Sequence, residues 1–426
     1  MKMKFEKIKS VNGELNLAGD KSISHRAVIF SAMAAGKSTI NNISNGEDVL
    51  STLNVVLELG AKVIKEKNKL IITGCGFQNL KSPNKNLDCG NSGTTARLLS
   101  GLLAAQNFSS TLIGDESLSK RPMKRIIDPL KMMGVEIKSA DEFKLPITIS
   151  PKNNFHSINY EMLIASAQIK SCILIAGLHI EDTTSVIEKV QTRNHTEQML
   201  GLPVEILENN IVSMSSRKFY PKPCDYFVPG DISSASFPIV LTLLTPNSEL
   251  IVKNVSLNPT RIGFINVLQK MGALISFEDI RISSNEEYGN VIVKSSQLKN
   301  IKIESEIIPN IIDEIPILTI AGIFAEGDFV IESAKELRVK ESDRIHSICI
   351  NLQLLGLSVE ENEDGFSISG SINKSNSTFE SFGDHRIAMA FAILSMLLDR
   401  GGEVNGFECV SISNPMFDEQ INSIVN

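Results

Sequence analysis

The sequence predicts an α/β protein of about six similar units, arranged as two similar lobes of three. Three observations predict it. The first is one phrase, an apolar helical end followed by Gly and then an alternating strand. It reads Leu57-Glu58-Leu59-Gly60-Ala61-Lys62-Val63, and it returns as Lys131-Met132-Met133-Gly134-Val135-Glu136-Ile137. It returns again as Met199-Leu200-Gly201-Leu202-Pro203-Val204-Glu205-Ile206, as Lys270-Met271-Gly272-Ala273-Leu274-Ile275 and as Leu354-Leu355-Gly356-Leu357-Ser358-Val359. The second is the spacing: successive glycines lie 74, 67, 71 and 84 residues apart, and one sixth of 426 residues is 71. The third is composition. With 42% apolar and 21% charged residues, the chain is globular and can build two full cores.

Each element of the unit has a local cause. Before the glycine come amphipathic helices such as Val49–Leu59 and Ile262–Met271, with apolar residues at helical spacing. The glycine stops the helix at C′, where a left-handed backbone costs little without a Cβ. A hairpin pattern follows. Val204–Leu207 and Ile211–Met214 flank Glu208-Asn209-Asn210, and Val359–Asn362 and Phe366–Ile368 flank Glu363-Asp364-Gly365. Such a unit is too small to bury both faces of its sheet alone, so units pack around a shared helical core. A two-lobe chain crosses near Ala18–Asp20 and Pro229–Asp231, each with Gly-Asp and small residues. A cleft between lobes is a usual place for a ligand.

Charge and composition exclude several classes. The net charge of −7 argues against a generally basic nucleic-acid binder, so any anion site is local. Met1–Lys7 lacks the apolar core of a signal peptide. The longest mainly apolar run, Ile387–Leu398, is shorter than the roughly 20 residues a membrane span needs. A soluble cytoplasmic protein is expected. Cys75, Cys89, Cys172, Cys224, Cys349 and Cys409 contain no C-x-x-C pair, and the histidines show no local zinc pattern. Buried, reduced thiols and no metal are the expectation.

Basic residues gather around Gly and Ser motifs. Gly19-Asp20-Lys21-Ser22-Ile23-Ser24-His25-Arg26 precedes the apolar helix 27–35. Lys21 gives a compact charge, Ser22 a hydroxyl near free helix N–H groups, and Arg26 falls one turn later. In Asp88-Cys89-Gly90-Asn91-Ser92-Gly93-Thr94-Thr95-Ala96-Arg97, Gly93 permits close approach and the hydroxyls and amides suit an anion. In Lys120-Arg121-Pro122-Met123-Lys124-Arg125, Pro122 suits a first helical turn, which puts Arg121 at a helix start. Ser166-Ala167-Gln168-Ile169-Lys170-Ser171 offers uncharged hydrogen-bonding groups before an apolar helix. Lys340-Glu341-Ser342-Asp343-Arg344 and Gly383-Asp384-His385-Arg386 complete the set. Asp313-Glu314 stands inside the apolar run Ile311–Leu318; a carboxylate there either caps a helix or works. Each cluster alone is also compatible with an ordinary cap or a solvated charge run. Gly36-Lys37-Ser38-Thr39 is not a nucleotide loop. The required earlier glycine position holds Ser31, and the motif follows a helical run where a P-loop precedes one.

Taken together and in order from residue 19 to residue 386, these motifs resemble the 5-enolpyruvylshikimate-3-phosphate synthase family. The resemblance rests on Gly19–Ala27, Gly90–Thr94, Arg121–Met123, Ser166–Gln168, Lys340–Arg344 and Gly383–Arg386. It implies two lobes, each of three βαβαββ units around buried helices, an inside-out α/β barrel of the enolpyruvyl transferase kind. It implies one lobe at 19–229, a second at 1–18 plus 230–426, and an active site in the cleft between them. The implied reaction moves the enolpyruvyl group of phosphoenolpyruvate to the 5-hydroxyl of shikimate 3-phosphate and releases phosphate. This step lies on the path to chorismate and the aromatic amino acids. No cofactor, nucleic acid or membrane is implied, and a monomer is expected.

By the same resemblance, Lys21, Ser22, Arg26, Ser166, Ala167, Gln168, Arg193, Asp313 and Lys340 contact shikimate 3-phosphate. Lys21, Gly93, Arg121, Gln168, Arg344 and Arg386 hold phosphoenolpyruvate. Asp313, Glu341 and Lys21 are the proton-transfer groups. The types suit the chemistry: two multiply anionic substrates need fixed cations, and arginine grips carboxylate or phosphate bidentately. Gly93 also leaves room for the family's inhibitor glyphosate, whereas Ser166-Ala167-Gln168 and Lys120–Arg125 resemble the bacterial branch that is often less sensitive to it, so the resemblance implies neither outcome. Two positions depart from the family: Ala18 stands where Pro is usual, and Ile412-Ser413-Asn414-Pro415 has no lysine. The nearest rival is the UDP-N-acetylglucosamine enolpyruvyl transferase family, which carries a loop Cys that Gly114–Lys120 lacks. A non-catalytic anion binder on the same scaffold is the rival of another class, and the carboxylates Asp313 and Glu341 argue against it.

Overall fold

The computed structural model describes residues 1–66, 69–140, 143–374 and 378–426. The chain forms two compact units. One comprises residues 19–228 with 282–286, and the other residues 1–18, 229–281 and 287–426. Relative to the expected boundaries, Pro229 joins the second unit and the short segment 282–286 joins the first.

The repeated glycines behave as their position demands. Gly60, Gly134, Gly201, Gly272 and Gly356 all take positive φ, between 60° and 102°. Each stops a helix, and an antiparallel hairpin follows each. In the third hairpin Glu208 and Asn209 both have positive φ, so the turn twists with its strands 204–207 and 210–215.

The first unit holds three four-stranded sheets of one pattern, a parallel pair extended by an antiparallel hairpin. Asp225–Phe227, Ala35–Asn41, Lys69–Cys75 and Lys62–Glu66 form one. Leu87–Asp88, Ser110–Ile113, Lys144–Ile149 and Ile137–Ala140 form the next. Asn159–Glu161, Thr184–Glu188, Asn210–Ser215 and Val204–Leu207 form the third. The first sheet closes on a strand from the end of the unit. Gly36-Lys37-Ser38-Thr39 lies within the strand Ala35–Asn41.

The second unit varies the theme. Asn12–Asn16 pairs in parallel with Glu249–Ser256, which continues into the hairpin strands 286–294 and 274–283. A second sheet, Phe329–Ile331, Gly365–Ser369 and Ser358–Asn362, has three strands among the described residues. In the last, Thr378–Glu380 runs parallel to Gly402–Asn405, and Lys2–Phe5 supplies the antiparallel neighbour. The sixth unit therefore uses the N-terminal strand where the others use a hairpin strand.

Two kinds of helix cover these sheets. Glu47–Glu58 buries Val49, Thr52, Val55 and Val56 and exposes Leu50 and Leu57, as an amphipathic helix should. Lys21–Met33, Gly93–Ala104 and Ala167–Gly177 are buried almost all round, as are Ile232–Leu244, Ile315–Ile323 and His385–Leu397 in the other unit. Helices apolar on every face belong inside, and in each unit three of them form that unit's own core. No helix among the described residues is long and apolar enough to cross a membrane. All six cysteines are free; Cys89, Cys172, Cys349 and Cys409 are buried, whereas Cys75 and Cys224 are only half-buried.

The inner helices of the first unit cross closely. A Cβ on Gly101 would stand 2.1 Å from the Cys172 carbonyl oxygen, a backbone atom that cannot swing away. Gly101→Ala should therefore destabilise by about 1–3 kcal/mol, although Ala favours an isolated helix. A urea midpoint equal to or above that of the unsubstituted chain would show that the two helices can part without cost.

Candidate active site

Several of the site motifs sit at the first turns of the inner helices. In the first unit, Asp20 caps Lys21–Met33 by accepting from the Ile23 N–H at 2.9 Å. Ser92 caps Gly93–Ala104 by accepting from the Thr95 N–H at 3.1 Å. Ser166 occupies the N-cap position of Ala167–Gly177, yet its hydroxyl makes no capping bond. The helix from Lys21 starts six residues earlier than the apolar run suggested, so Lys21, Ser22 and Arg26 all belong to it.

Lys21 pairs with Asp48 at 2.9 Å, and both are mostly buried. Arg26 is buried and donates to Thr196 Oγ1 at 2.8 Å, Ser171 Oγ at 2.7 Å and the Ser22 carbonyl at 2.9 Å. Burial pulls its pKa down to about 10. Arg26 thus ties three helices together. Arg193 lies half-buried just before the helix His195–Leu200, close enough to be felt by the Arg26 charge.

Gly93 faces two guanidinium groups. A Cβ there would meet Arg97 NH1 at 3.2 Å and Arg121 NH1 at 3.5 Å. Arg97 donates to Gln168 Oε1, and Gln168 Nε2 donates to Thr94 Oγ1 at 3.0 Å. Arg121 donates to Asn91 Oδ1 at 2.8 Å and Ser117 Oγ at 3.2 Å. Two arginines at the start of a 12-residue helix make a strongly anion-attracting corner. The expected helix start at Arg121 is not what forms. Arg121 is the C-cap of Glu116–Lys120, and Lys124–Met132 begins after Met123. Pro122 holds Arg121 in extended backbone, φ −78° and ψ 141°, so neither helix can run through it.

The second unit gathers carboxylates as well as cations. Arg344 opens the helix Arg344–Gln353, and its side chain is 1% exposed. It donates from Nε to Asp384 Oδ2 at 2.8 Å, from NH1 to Asp313 Oδ1 at 3.1 Å and from NH2 to Glu341 Oε2 at 2.6 Å. These carboxylates raise the Arg344 pKa despite its burial. Arg344 lowers that of Asp384, which also caps His385–Leu397 through the Arg386 N–H at 2.8 Å. Lys340 reaches the same Asp313 oxygen at 3.2 Å. Arg386 NH1 donates to the Asp313 carbonyl at 2.9 Å.

The clusters therefore assemble within each unit. In the first unit Gly93 faces Arg97 and Arg121, Gln168 joins through Arg97, Lys21 pairs with Asp48, and Arg26 bonds to Ser171 and Thr196, while Asp313, Lys340, Glu341, Arg344 and Arg386 meet in the second. Three participants were missed in the sequence. Arg97 had a readable signal, since it lies one helical turn past Gly93. Asp384 stood inside a motif with no role of its own; it caps a helix and also holds Arg344. Asp48 gave no signal, because its partner Lys21 lies 27 residues away.

A buried imidazole connects the helix starts of the first unit. His25 Nδ1 meets Thr52 Oγ1 at 2.6 Å, Thr52 meets Thr95 Oγ1 at 2.6 Å, and Thr95 donates to Ser92 Oγ at 2.7 Å. Burial lowers the His25 pKa from 6.5 to about 3 and that of His179 to about 4. Both rings stay neutral in the fold, while the unfolded chain takes up protons below 6.5. Stability is then full above about pH 6.5 and falls as pH drops towards 3, by on the order of 2 kcal/mol per ring at pH 5. Urea unfolding at pH 7.5 and pH 5 should show this loss, and His25→Asn should shrink it. A variant with the same pH dependence would exclude His25 as its source.

Comparison with known proteins gives one family. Residues 5–421 match the model of EPSP synthase (3-phosphoshikimate 1-carboxyvinyltransferase). The 3-phosphoshikimate 1-carboxyvinyltransferase of Petrotoga mobilis is 46% identical over 426 residues, covering 98% of this chain and 98% of that protein. The Bacillus subtilis protein of the same name is 42% identical over 428 residues, covering 99% of each. An EPSP synthase structure from Acinetobacter baumannii superposes with a TM-score of 0.87 at 38% identity, covering 100% of this chain and 98% of that one. The enolpyruvyl transferase NikO from Streptomyces tendae shares the fold, with a TM-score of 0.77 at 13% identity over 100% of this chain and 97% of that one. With its two units of repeated sheets and buried helices, and with these relatives matching end to end, the chain belongs to the EPSP synthase family of enolpyruvyl transferases.

Proposed function

We propose that the chain transfers the enolpyruvyl group of phosphoenolpyruvate to the 5-hydroxyl of shikimate 3-phosphate, with Asp313 and Glu341 moving the protons. The observation that carries the assignment of roles is the shared guanidinium. Asp313 and Glu341 both bond to the buried Arg344, at 3.1 and 2.6 Å, so two carboxylates are fixed side by side.

The chemistry needs such a pair. Asp313 accepts the proton of the 5-hydroxyl as its oxygen attacks C2 of phosphoenolpyruvate. Glu341, with Lys21, delivers a proton to the C3 methylene, giving a tetrahedral intermediate. Loss of a C3 proton and of phosphate then restores the double bond. Phosphoenolpyruvate is held by Lys21, Gln168 and Arg121 around the gap left by Gly93, together with Arg344 and Arg386. Shikimate 3-phosphate is held by Lys21, Ser22, Ser166, Ala167, Gln168, Arg193 and Lys340, with Arg26 fixing the helices behind them. Both sets act on one substrate pair in the reacting complex. They lie on a single chain, which supports a working monomer. Six free thiols suit a reducing compartment such as the cytoplasm.

Positioned acid–base groups supply about 10²–10⁴-fold, so Asp313→Ala should cut turnover at least about 100-fold with the fold intact. Near-normal turnover would remove Asp313 from proton transfer. Phosphate release from phosphoenolpyruvate should require shikimate 3-phosphate, and release with UDP-N-acetylglucosamine in its place would overturn the substrate assignment.

A further inference from the structure

Next to Asp313 stands a carboxylate with no role in the proton transfers. Glu314 is fully buried, at the N-cap of Ile315–Ile323, yet its side chain caps nothing. Its Oε1 accepts from Ser233 Oγ, which in turn accepts from Arg261 NH2. The same oxygen lies 3.6 Å from Arg261 NH2 and 3.6 Å from Arg386 NH1. Its Oε2 has no hydrogen-bond partner among the described residues. Burying a carboxylate so incompletely bonded is costly.

Arg386 shows what the charge does. Its NH1 is held from two sides, by the Asp313 carbonyl at 2.9 Å and by the Glu314 carboxylate. None of the described bonds uses its Nε or NH2. That edge of the guanidinium is the one suited to a bidentate contact with phosphate or carboxylate. We propose that Glu314 is a positioning residue that fixes Arg386 NH1, so that the Nε/NH2 edge is presented to phosphoenolpyruvate. This rests on the reading of Arg386 as a phosphoenolpyruvate ligand.

The direction of the effect separates positioning from charge balance. Glu314→Gln removes a negative charge near an anion site. If only net charge mattered, phosphoenolpyruvate would bind more tightly. Positioning demands the reverse. Glu314→Gln should raise KM for phosphoenolpyruvate about fivefold or more, with KM for shikimate 3-phosphate within about twofold and the melting temperature retained. In an Arg386→Ala background the same substitution should add nothing, because Glu314 acts through Arg386. An unchanged or lower KM for phosphoenolpyruvate, or full additivity with Arg386→Ala, overturns the proposal. If Glu314→Gln does not fold, Ser233→Ala serves: a selective rise of about twofold in KM for phosphoenolpyruvate supports the proposal, and none overturns it. The unsubstituted chain is assayed first by phosphate release. Absence of release there sinks the functional reading and this inference together. Release there with unaltered variants sinks the inference alone.

Discussion

A buried guanidinium organises the second unit. Arg344 lies inside the protein, where an unpaired charge costs several kcal/mol. It is tolerated because Asp313, Glu341 and Asp384 bond to it. Those three residues come from three places in the chain: the turn before Ile315–Ile323, the loop before Arg344–Gln353, and the cap of His385–Leu397. One cation therefore sets the relative positions of three segments, and two of its three partners are the carboxylates assigned to proton transfer. Such groups need fixed geometry more than they need exposure, and a shared planar fork supplies it.

The two units differ in electrical character. Around Gly93 the first unit sets Arg97 and Arg121, joined by Gln168 and Thr94, which add no charge. The second sets Arg261, Lys340, Arg344 and Arg386 against Asp313, Glu314, Glu341 and Asp384, four cations to four anions. The first corner therefore carries an excess of positive charge and the second is balanced, which suits the roles proposed for them. The acidic net charge of the whole chain, −7, says nothing about either, since local arrangement decides both.

Much of this was legible in the sequence because it is local. A glycine after an apolar helical end forces a left-handed turn, and all five glycines of the phrase adopt it. Hairpins follow from short patterns, and the turn at Glu208-Asn209 formed where Asn tolerance of such dihedrals put it. The helix Gly93–Ala104, which carries Arg97, and the caps at Asp20 and Ser92 follow from neighbouring residues. What stayed hidden is long-range. The N-terminal strand Lys2–Phe5 pairs with Gly402–Asn405, and no motif links positions so far apart. The pairing of Lys21 with Asp48 and the joint hold of Asp384 on Arg344 and a helix cap are of the same kind. Arg121 failed differently: Pro122 suits the first turn of a helix, but it also bars helical backbone at the residue before it, and the second rule won.

Sequence motifs also blur the division of labour among arginines. Arg121, Arg344 and Arg386 share one residue type and one expectation of anion contact, and their surroundings separate them. In Arg344, the four described bonds leave one of the five N–H groups, on NH1. In Arg386, they engage NH1 alone. Arg344 can give an incoming anion one N–H, whereas Arg386, gripped at a single nitrogen among the described residues, is oriented and can give its whole Nε/NH2 edge. The carboxylates within reach, more than the arginine itself, decide how much of each guanidinium is left for a ligand. Asp313 and Glu314, adjacent in the chain, send their side chains to different arginines, so one short turn governs both outcomes.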